Sequence, residues 1–498
     1  MKNVFALTQI FHIFRNTFSD CPRAAVVTTE GEALFINSET LSDIATLPAT
    51  SLTCYQYLQL QDGDVGLCND PYSGGGILSN FSLVTRLSMG QGTDRADFLI
   101  ALKLTLKPRI TNSLKLDDEG LRIPPTPMVV NGEINRDILN AMSAHPHFPL
   151  ELKDQLPTAI QKLLKKKEMV KESLRELDLT LTKNEIKEFL KISQAKALEV
   201  LSEVAEGEAR VDFEISPREK LKLRAEIHEK KVVFDFSGSD PGQTHFLTFA
   251  ATFGACVGAF FAFTRREMPI NSGTTSLVEV VAPKGSIVNS NFPKPVGLGL
   301  TDGLDVVANL ALQALSAIDK KRAVAVGGAS HCAFEFRFQD GRRFYDRAHP
   351  GSGASSSSAG VHGQSLWWRA RLNTSIEEIE RRYPLMIESV GYRMNSGGSG
   401  AQAGGDGMAK TYRLLAPAEF VWSMTDATDK PLGAQGGKAA MGPELLLLKA
   451  RDVAASSEAT TIAPKKVKLD AVGHMSLEAG DQIWVMAAGG GGFGKTST

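Results

Sequence analysis

The segment Asn69-Asp70-Pro71-Tyr72-Ser73-Gly74-Gly75-Gly76 sets an amide, a carboxylate and a phenol directly before three glycines. Asn and Asp side chains bond their own backbone and fix such a turn, while glycines let a ligand or another segment come close. The stretch therefore reads either as a structural turn or as a ligand loop, and Asn69, Asp70 and Tyr72 are the candidate catalytic residues. A second pattern lies near residue 490, where Gly489, Gly494, Lys495 and Thr496 satisfy G-x-x-x-x-G-K-T. That motif binds phosphate because amides and the N-terminus of a following helix converge on it. Only Ser497 and Thr498 follow here, so no such helix is expected and the match is discounted.

Other reactive types are thinly spread. His145 and His147 flank Pro146 without helical spacing or a neighbouring carboxylate, and read as loop residues rather than metal ligands. His331 and Cys332 are adjacent, a placement in which side chains rarely face each other, so a Cys–His nucleophile is not indicated. The five cysteines are odd in number and form no C-x-x-C pair, which points to reduced thiols and a cytoplasmic setting.

As for the elements that must carry these residues, 498 residues with 43% hydrophobic and 22% charged content exclude a disordered chain and imply several domains. A net charge of -1 offers no field to recruit nucleic acid or an anionic membrane. The amino-terminal stretch reads as an amphipathic helix rather than a signal peptide. Residues 246–263 are an uncharged run with Gly254 and Gly258 at helix-contact spacing, read as a buried helix rather than a membrane span. Ile160, Leu163, Leu164, Val170 and Leu174 share one helical face, and Thr182 with Glu185 opens a second helix as a capping box. Lysines 162, 165, 166, 167 and 171 interleave with glutamates and read as a solvated face. Residues 221–227 and 232–236 alternate as a hairpin. Of 45 glycines, 11 fall in residues 1–234 and 34 in residues 235–498. The expected architecture is α+β in three regions. These are a mixed region over 1–132 with the Asn-Asp-Pro-Tyr loop, a helical pair and hairpin over 133–234, and a glycine-rich region over 235–498 around the buried helix 246–263.

Taken together, Asp64-Val65, the Asn69–Gly76 loop, Asp235-Phe236-Ser237-Gly238, Pro269-Ile270-Asn271-Ser272-Gly273, Gly351-Ser352-Gly353-Ala354, Arg382-Tyr383-Pro384-Leu385, Ser396-Gly397-Gly398-Ser399-Gly400 and residues 489–494 resemble the hydantoinase B/5-oxoprolinase family. The resemblance runs in order over nearly the whole chain. It implies a subunit of an ATP-dependent hydrolase of cyclic amides such as 5-oxoproline, hydantoins or lactams, related to ketone carboxylase large subunits. ATP and its magnesium would be bound by a kinase-like hydantoinase A-type partner in a hetero-oligomer, and no cofactor is expected on this chain.

The resemblance also implies a divalent metal, whose ligand positions fall at Cys21, Ile77, Asn80 and Leu104. None keeps its ligand type, and Ile and Leu carry no donor, so the metal site is expected to be degenerate. Two functions follow: a cyclic-amide hydrolase subunit, or a catalytically silent scaffold or regulatory subunit, a pseudoenzyme. A repurposed pocket built from Trp367, Trp368, Arg369 and Arg371 is a further alternative.

Overall fold

The computed structural model describes residues 2–89, 95–111, 114–176, 181–216, 218–297, 299–367, 374–424, 430–450 and 466–496. Short runs of β-branched and aliphatic residues near the start build an antiparallel sheet from β1 (Ala24–Thr28), β2 (Ala33–Asn37), β3 (Val65–Cys68), β4 (Asn80–Leu87), β5 (Phe98–Thr105), β6 (Thr126–Val130) and β7 (Glu133–Ile134). Its order is β2-β1-β5-β4-β3-β6-β7. Side chains alternate across a strand, so the sheet has two apolar faces to cover. Val26, Leu83, Phe98 and Ile100 meet helices α1 (Lys2–Thr17) and α4 (Leu150–Glu176), beyond the short α3 (Arg136–Ser143). Ala25, Val27, Val84, Leu99 and Ala101 meet α2 (Asp43–Leu58) on the other face.

The helical pair is therefore not a region of its own. Leu152, Leu156, Ile160, Leu163, Val170 and Leu174 of α4 lie in one core with the first sheet, so that core crosses residue 132. The capping box that opens α5 (Lys183–Ser202) forms as expected: Glu185 N–H donates to Thr182 Oγ1 at 3.2 Å, and Thr182 N–H donates to Glu185 Oε2 at 2.9 Å. The hairpin crosses the other expected boundary. Strands β8 (Gly207–Ser216), β9 (Glu219–His228), β10 (Lys231–Asp235) and β11 (Val278–Val281) form one sheet ordered β11-β10-β9-β8. It packs on α6 (Phe249–Thr264) and α8 (Leu304–Ile318), with the one-turn α7 (Ser272–Thr275) between them in sequence. The apolar run is thus a buried helix, and no helix of the described residues is long and apolar enough to cross a membrane. A Cβ on Gly254 would lie 2.2 Å from Leu41 O, which shows why that helix face carries small residues.

Two further sheets close over an aromatic core. One joins β12 (Ala333–Phe338), β13 (Arg343–Asp346), β16 (Ala418–Ser423) and β19 (Val472–Leu477) in the order β13-β12-β16-β19. The other runs β14-β15-β20-β17-β18, from β14 (Leu385–Tyr392), β15 (Met408–Leu414), β17 (Glu444–Leu448), β18 (Val467–Lys468) and β20 (Gln482–Met486), with α9 (Ile376–Arg382) leading into β14. Phe334, Phe336, Phe344, Tyr412 and Phe420 fill the space between them. The Phe336 and Phe420 rings stack at 4.9 Å.

The glycine-rich segments between these strands are not separate loops. Extended stretches near residues 325–328, 351–354, 396–405, 431–438 and 488–494 lie backbone against backbone. They are cross-linked by bonds such as Gly490 N–H to Gly405 O, Gly405 N–H to Ser352 O and Gly398 N–H to Gly490 O. A Cβ on Gly490 would lie 1.9 Å from Ser352 O, and one on Gly404 would lie 1.7 Å from Gly490 O. Glycine is required here for approach distance, because every neighbour is main chain that cannot swing aside.

This packing predicts that Gly490→Ala lowers stability by about 3 kcal/mol or more, through overpacking against rigid backbone. Gly391, where a Cβ meets nothing within 4 Å, is the control, and Gly391→Ala should unfold within a few degrees of the parent. Equal melting temperatures for the two variants would refute the account.

Candidate functional site

The ends of β1, β5 and β4 lie side by side at one rim of the first sheet, with Asn80 directly opposite Thr105 in the ladder. Facing them are the start of α8, the start of β12 and the end of the edge strand β13. Between the two walls is a cavity of about 170 Å³ lined by Arg23, Thr40, Ser42, Ser79, Asn80, Thr105, Lys107, His331, Tyr345 and Arg347, with Ile77, Leu106, Pro108, Leu304 and Ala333 as its apolar part. A narrower pocket of about 20 Å³ continues from it past Ile77, Ser79, Pro108 and Ala333 to Glu119, Arg109 and Ser423.

Arg23 is fixed by a buried ion triad. Its Nε donates to Asp43 Oδ2 at 2.6 Å and its Nη2 to Asp43 Oδ1, while Lys103 Nζ reaches the same carboxylate at 2.9 Å. Nη1 donates to Asn80 Oδ1 at 3.1 Å and to Thr105 Oγ1. Burial alone would raise the Asp43 carboxyl, but Arg23 and Lys103 outweigh it and hold it well below the usual carboxylate range. Burial pulls Lys103 down to about 8 even with Asp43 bonded to it.

The opposite wall is also polar and buried. His331 Nε2 lies 3.1 Å from Asp305 Oδ2, and Ser365 donates to the same oxygen at 3.3 Å. Burial, aided by the nearby Arg347, holds the imidazole pKa well below its usual value, so His331 is neutral at neutral pH. The Cys332 thiol, pushed up to about 12 by burial, is no nucleophile at neutral pH. Asp302 accepts from Ser330 at 3.3 Å and Ser423 at 3.0 Å, and burial raises its carboxyl to about 7. Glu119 is likewise raised to about 7 by burial, against the opposing pull of the Gly297 and Val296 amides at 2.7 and 3.2 Å. Neither Glu119 nor Asp302 stands out in the sequence. Their signal is tertiary, a carboxyl carried into an apolar interface.

The structure places none of Asn69, Asp70 and Tyr72 in the cavity lining. Asn69 is fully buried; its Nδ2 donates to Leu78 O at 2.6 Å and Leu121 O at 2.8 Å, and its Oδ1 accepts from Ile123 N–H at 2.6 Å. Asp70 caps the turn, accepting from Tyr72 N–H at 3.1 Å, Ser73 Oγ at 2.9 Å and Arg122 at 3.0 Å. Tyr72 donates to Lys294 O at 2.6 Å. These bonds shape the loop that delivers Ile77, Ser79 and Asn80 to the cavity.

Of the expected metal-ligand positions, Ile77 and Asn80 line the cavity and Cys21 and Leu104 do not. Cys21 is buried, its thiol directed to Asp20 at 3.6 Å and raised by that burial. Leu104 packs toward the α4 face of the sheet. Strand alternation turns the next residue, Thr105, to the rim instead. The expected positions that reach the cavity do not fit a divalent cation: Ile77 has no donor, and Asn80 offers a neutral amide oxygen that already accepts from the Arg23 guanidinium, itself a cation. Trp367 is buried and donates to Asn309 Oδ1 at 2.9 Å, while Trp368, Arg369 and Arg371 lie outside the described residues. The amides of residues 489–494 all donate to main-chain carbonyls of other segments, so the glycine run of the G-x-x-x-x-G-K-T pattern is not free to cradle a phosphate.

The carboxyls of Glu119 and Asp302 give a pH signature. Each has a folded pKa of about 7, above the ordinary values of 4.5 and 3.8. Between those limits the native state holds protons that the unfolded chain has released, so stability falls as pH rises from about 4.5 to about 7. Asp43 acts oppositely: its contribution is present above the unfolded carboxyl pKa and is lost as pH falls below about 4. Melting curves over about pH 5 to 7 should show the decline in the parent and a flatter profile in Glu119→Gln/Asp302→Asn. An unchanged slope in the double variant would count against the assignment.

Known proteins share this architecture and much of the sequence pattern. The hydantoinase B/oxoprolinase family profile matches residues 19–496. Uncharacterized protein MJ0963 of Methanocaldococcus jannaschii is 25% identical over 465 residues, 88% of this chain and 77% of that protein. The 5-oxoprolinase of Dictyostelium discoideum is 27% identical over 281 residues, 55% of this chain but 20% of that protein, so the match spans about a fifth of that relative. A putative D-/L-hydantoinase subunit of Pseudomonas sp. is 26% identical, over 46% of this chain and 37% of its own. In fold, the crystal structure of the ATP-dependent caprolactamase from Pseudomonas jessenii is similar with a TM-score of 0.83 at 18% identity, covering 99% of this chain and 90% of that one. With an α+β architecture shared end to end and a family profile spanning nearly every residue, the chain belongs to the hydantoinase B/oxoprolinase family.

Proposed function

We propose that this chain is the hydantoinase B-type subunit of a cytoplasmic hetero-oligomer that opens a cyclic amide at the expense of ATP. A kinase-like hydantoinase A-type subunit would bind the nucleotide. Its phosphorylation of the amide oxygen turns a poor electrophile into one with a phosphate leaving group, and this chain holds the ring while water attacks. The names of the relatives and of the structural neighbour support a cyclic amide. The observation that carries the reading is the cavity between the first sheet and α8, which joins fixed positive charge at Arg23 to a carboxyl poised near neutrality at Glu119. Glu119 is the proposed general base, since a group whose pKa sits near working pH both accepts and returns a proton. On this reading the subunit works without a divalent metal of its own, which the missing donor at Ile77 supports.

A second reading is favoured by Ile77 and Leu104, which stand without a donor atom where the family ligands are expected: the chain is a silent scaffold that retains only the partner interface. Mixing the purified chain with a kinase-like partner and assaying ATP turnover on 5-oxoproline, hydantoins and lactams separates the two. The hydrolase reading expects turnover that requires this chain and falls about 100-fold or more in Glu119→Gln, with KM little changed. A stable complex that no cyclic amide stimulates would leave the scaffold.

A further inference from the structure

Three of the packed glycine segments meet solvent side by side. Met441 N–H donates to Ser396 O at 2.8 Å and Lys438 N–H to Ser399 O at 2.7 Å, which lays the stretch 438–441 along 396–399. Ala440 N–H donates to Pro431 O at 2.9 Å and so brings Leu432 alongside. Gly494 N–H donates to Ala434 O at 2.9 Å, and the Lys495 stem lies over Gly436, where an added Cβ would stand 2.8 Å from its Cγ. Large apolar side chains emerge from these stretches: Met394 is 71% exposed, Leu432 49% and Met441 48%, and Tyr392, just before them, is 53% exposed. Together the four expose on the order of 400 Å², the size at which an apolar patch marks a contact.

Charge decides what covers it. Residues 389–405, 430–443 and 489–496 contain no Asp or Glu. Their cations are Arg393, answered by Glu444, and Lys430, Lys438 and Lys495, which are exposed and form no ion pair among the described residues. In a twofold dimer a face meets its own copy, so a second chain would set lysines against lysines with no carboxylate between them. Anionic membranes recruit clusters of about four to eight Lys or Arg, more than this face carries. A different protein that sets carboxylates around an apolar centre answers both the lysines and the Met and Tyr side chains. The backbone beneath is already fixed by bonds between segments, so little ordering is lost on docking.

We infer that the outer face of the glycine segments, carried by Met394, Leu432, Lys438, Met441 and Lys495, is the docking surface for a second, different subunit whose contacting face is acidic around an apolar centre. The inference rests on the function proposed above, in which that subunit is the kinase-like one, and it adds where on this chain the subunit sits.

The test is calorimetric titration of the purified full chain with the purified kinase-like subunit, at low and at high salt. Lys438→Glu/Lys495→Glu should weaken binding about tenfold or more, and Met394→Ser/Met441→Ser by a similar factor. Lys153→Glu/Lys196→Glu makes the same charge change at exposed positions on α4 and α5 and should stay within about threefold of the parent. Salt should weaken the parent complex more than that of Lys438→Glu/Lys495→Glu, because exposed charges are screened. All the substituted side chains are exposed, so the variants keep the fold, which matching melting curves check. Parent-like affinity in Lys438→Glu/Lys495→Glu, or an equal loss in the α4 and α5 control, overturns the inference. So does binding of the chain to phosphatidylserine vesicles, or its self-association, that Lys438→Glu/Lys495→Glu abolishes. A complex untouched by every variant overturns this face alone, and the absence of any complex overturns the functional reading with it. A complex weakened as expected that opens no cyclic amide sinks the functional reading and leaves the docking face standing.

Discussion

A carboxylate with no solvent exposure must have its charge answered within a few ångströms, and Asp43 sets that condition for this molecule. It stands in the first turn of α2, and its two answering cations come from other elements: Arg23 from the residue before β1 and Lys103 from β5. Desolvating such ions costs several kcal/mol each, and removing one partner of a buried set typically costs about 3–5 kcal/mol. The triad thus fixes how α2 lies on the sheet. It also fixes where the guanidinium emerges, because the Nη1 edge left over from Asp43 is the edge that meets Asn80 and Thr105 at the cavity. Stability and site geometry here are one arrangement of charges.

The opposite wall is held by a different device. His331 belongs to the segment that follows Gly327 and Gly328, and that segment is tied into the glycine bundle by Ala325 N–H to Ala354 O, Val326 N–H to Leu432 O and Gly491 N–H to Val326 O. Asn309 on α8 donates to Gly327 O at 2.8 Å and so joins the helix to the bundle. Main chain packed against main chain has no rotamers to lose and little room to shift. A polar group delivered from such a scaffold stays where it is put, which suits a neutral histidine held against Asp305.

What could be read in advance followed from local periodicity. The capping box at Thr182, the apolar stripe from Ile160 to Leu174, the hairpin around His228 and the buried character of residues 246–263 each depend on a pattern within a single stretch of chain. The domain boundaries near 132 and 234 were not readable, because composition changes there while the cores do not: α4 covers the first sheet, and β8 and β9 join β10. The site was half legible. Ile77 and Asn80 were found through the family pattern, but Arg23 and Thr105 depend on which way strand ends face. Glu119 and Asp302 depend on burial against segments roughly two hundred and one hundred residues away in sequence. Asn69 and Asp70 were visible as a specified loop, and no local pattern distinguishes a loop that touches a ligand from one that positions its neighbours.

A guanidinium and a divalent ion supply different chemistry to a site. A bound metal polarises a carbonyl and also lowers the pKa of a coordinated water, so one group supplies both electrophile and nucleophile. Arg stays protonated across the physiological range and offers only charge and directed N–H bonds. It can orient an anion or stabilise a developing oxyanion, but it cannot make hydroxide. In the function proposed above, with Arg23 in the wall, proton removal falls to a side chain whose own pKa lies near neutrality. His331 and His349 are too weakly basic, burial holding His331 well below its usual value and His349 near about 2. Lys103, at about 8, is bound to Asp43 and Thr46 and is fully buried behind the cavity. Asp302, also raised to about 7 by burial, lines neither pocket, whereas Glu119, near 7, lines the pocket that opens from the cavity, which is why the proposed base is placed there.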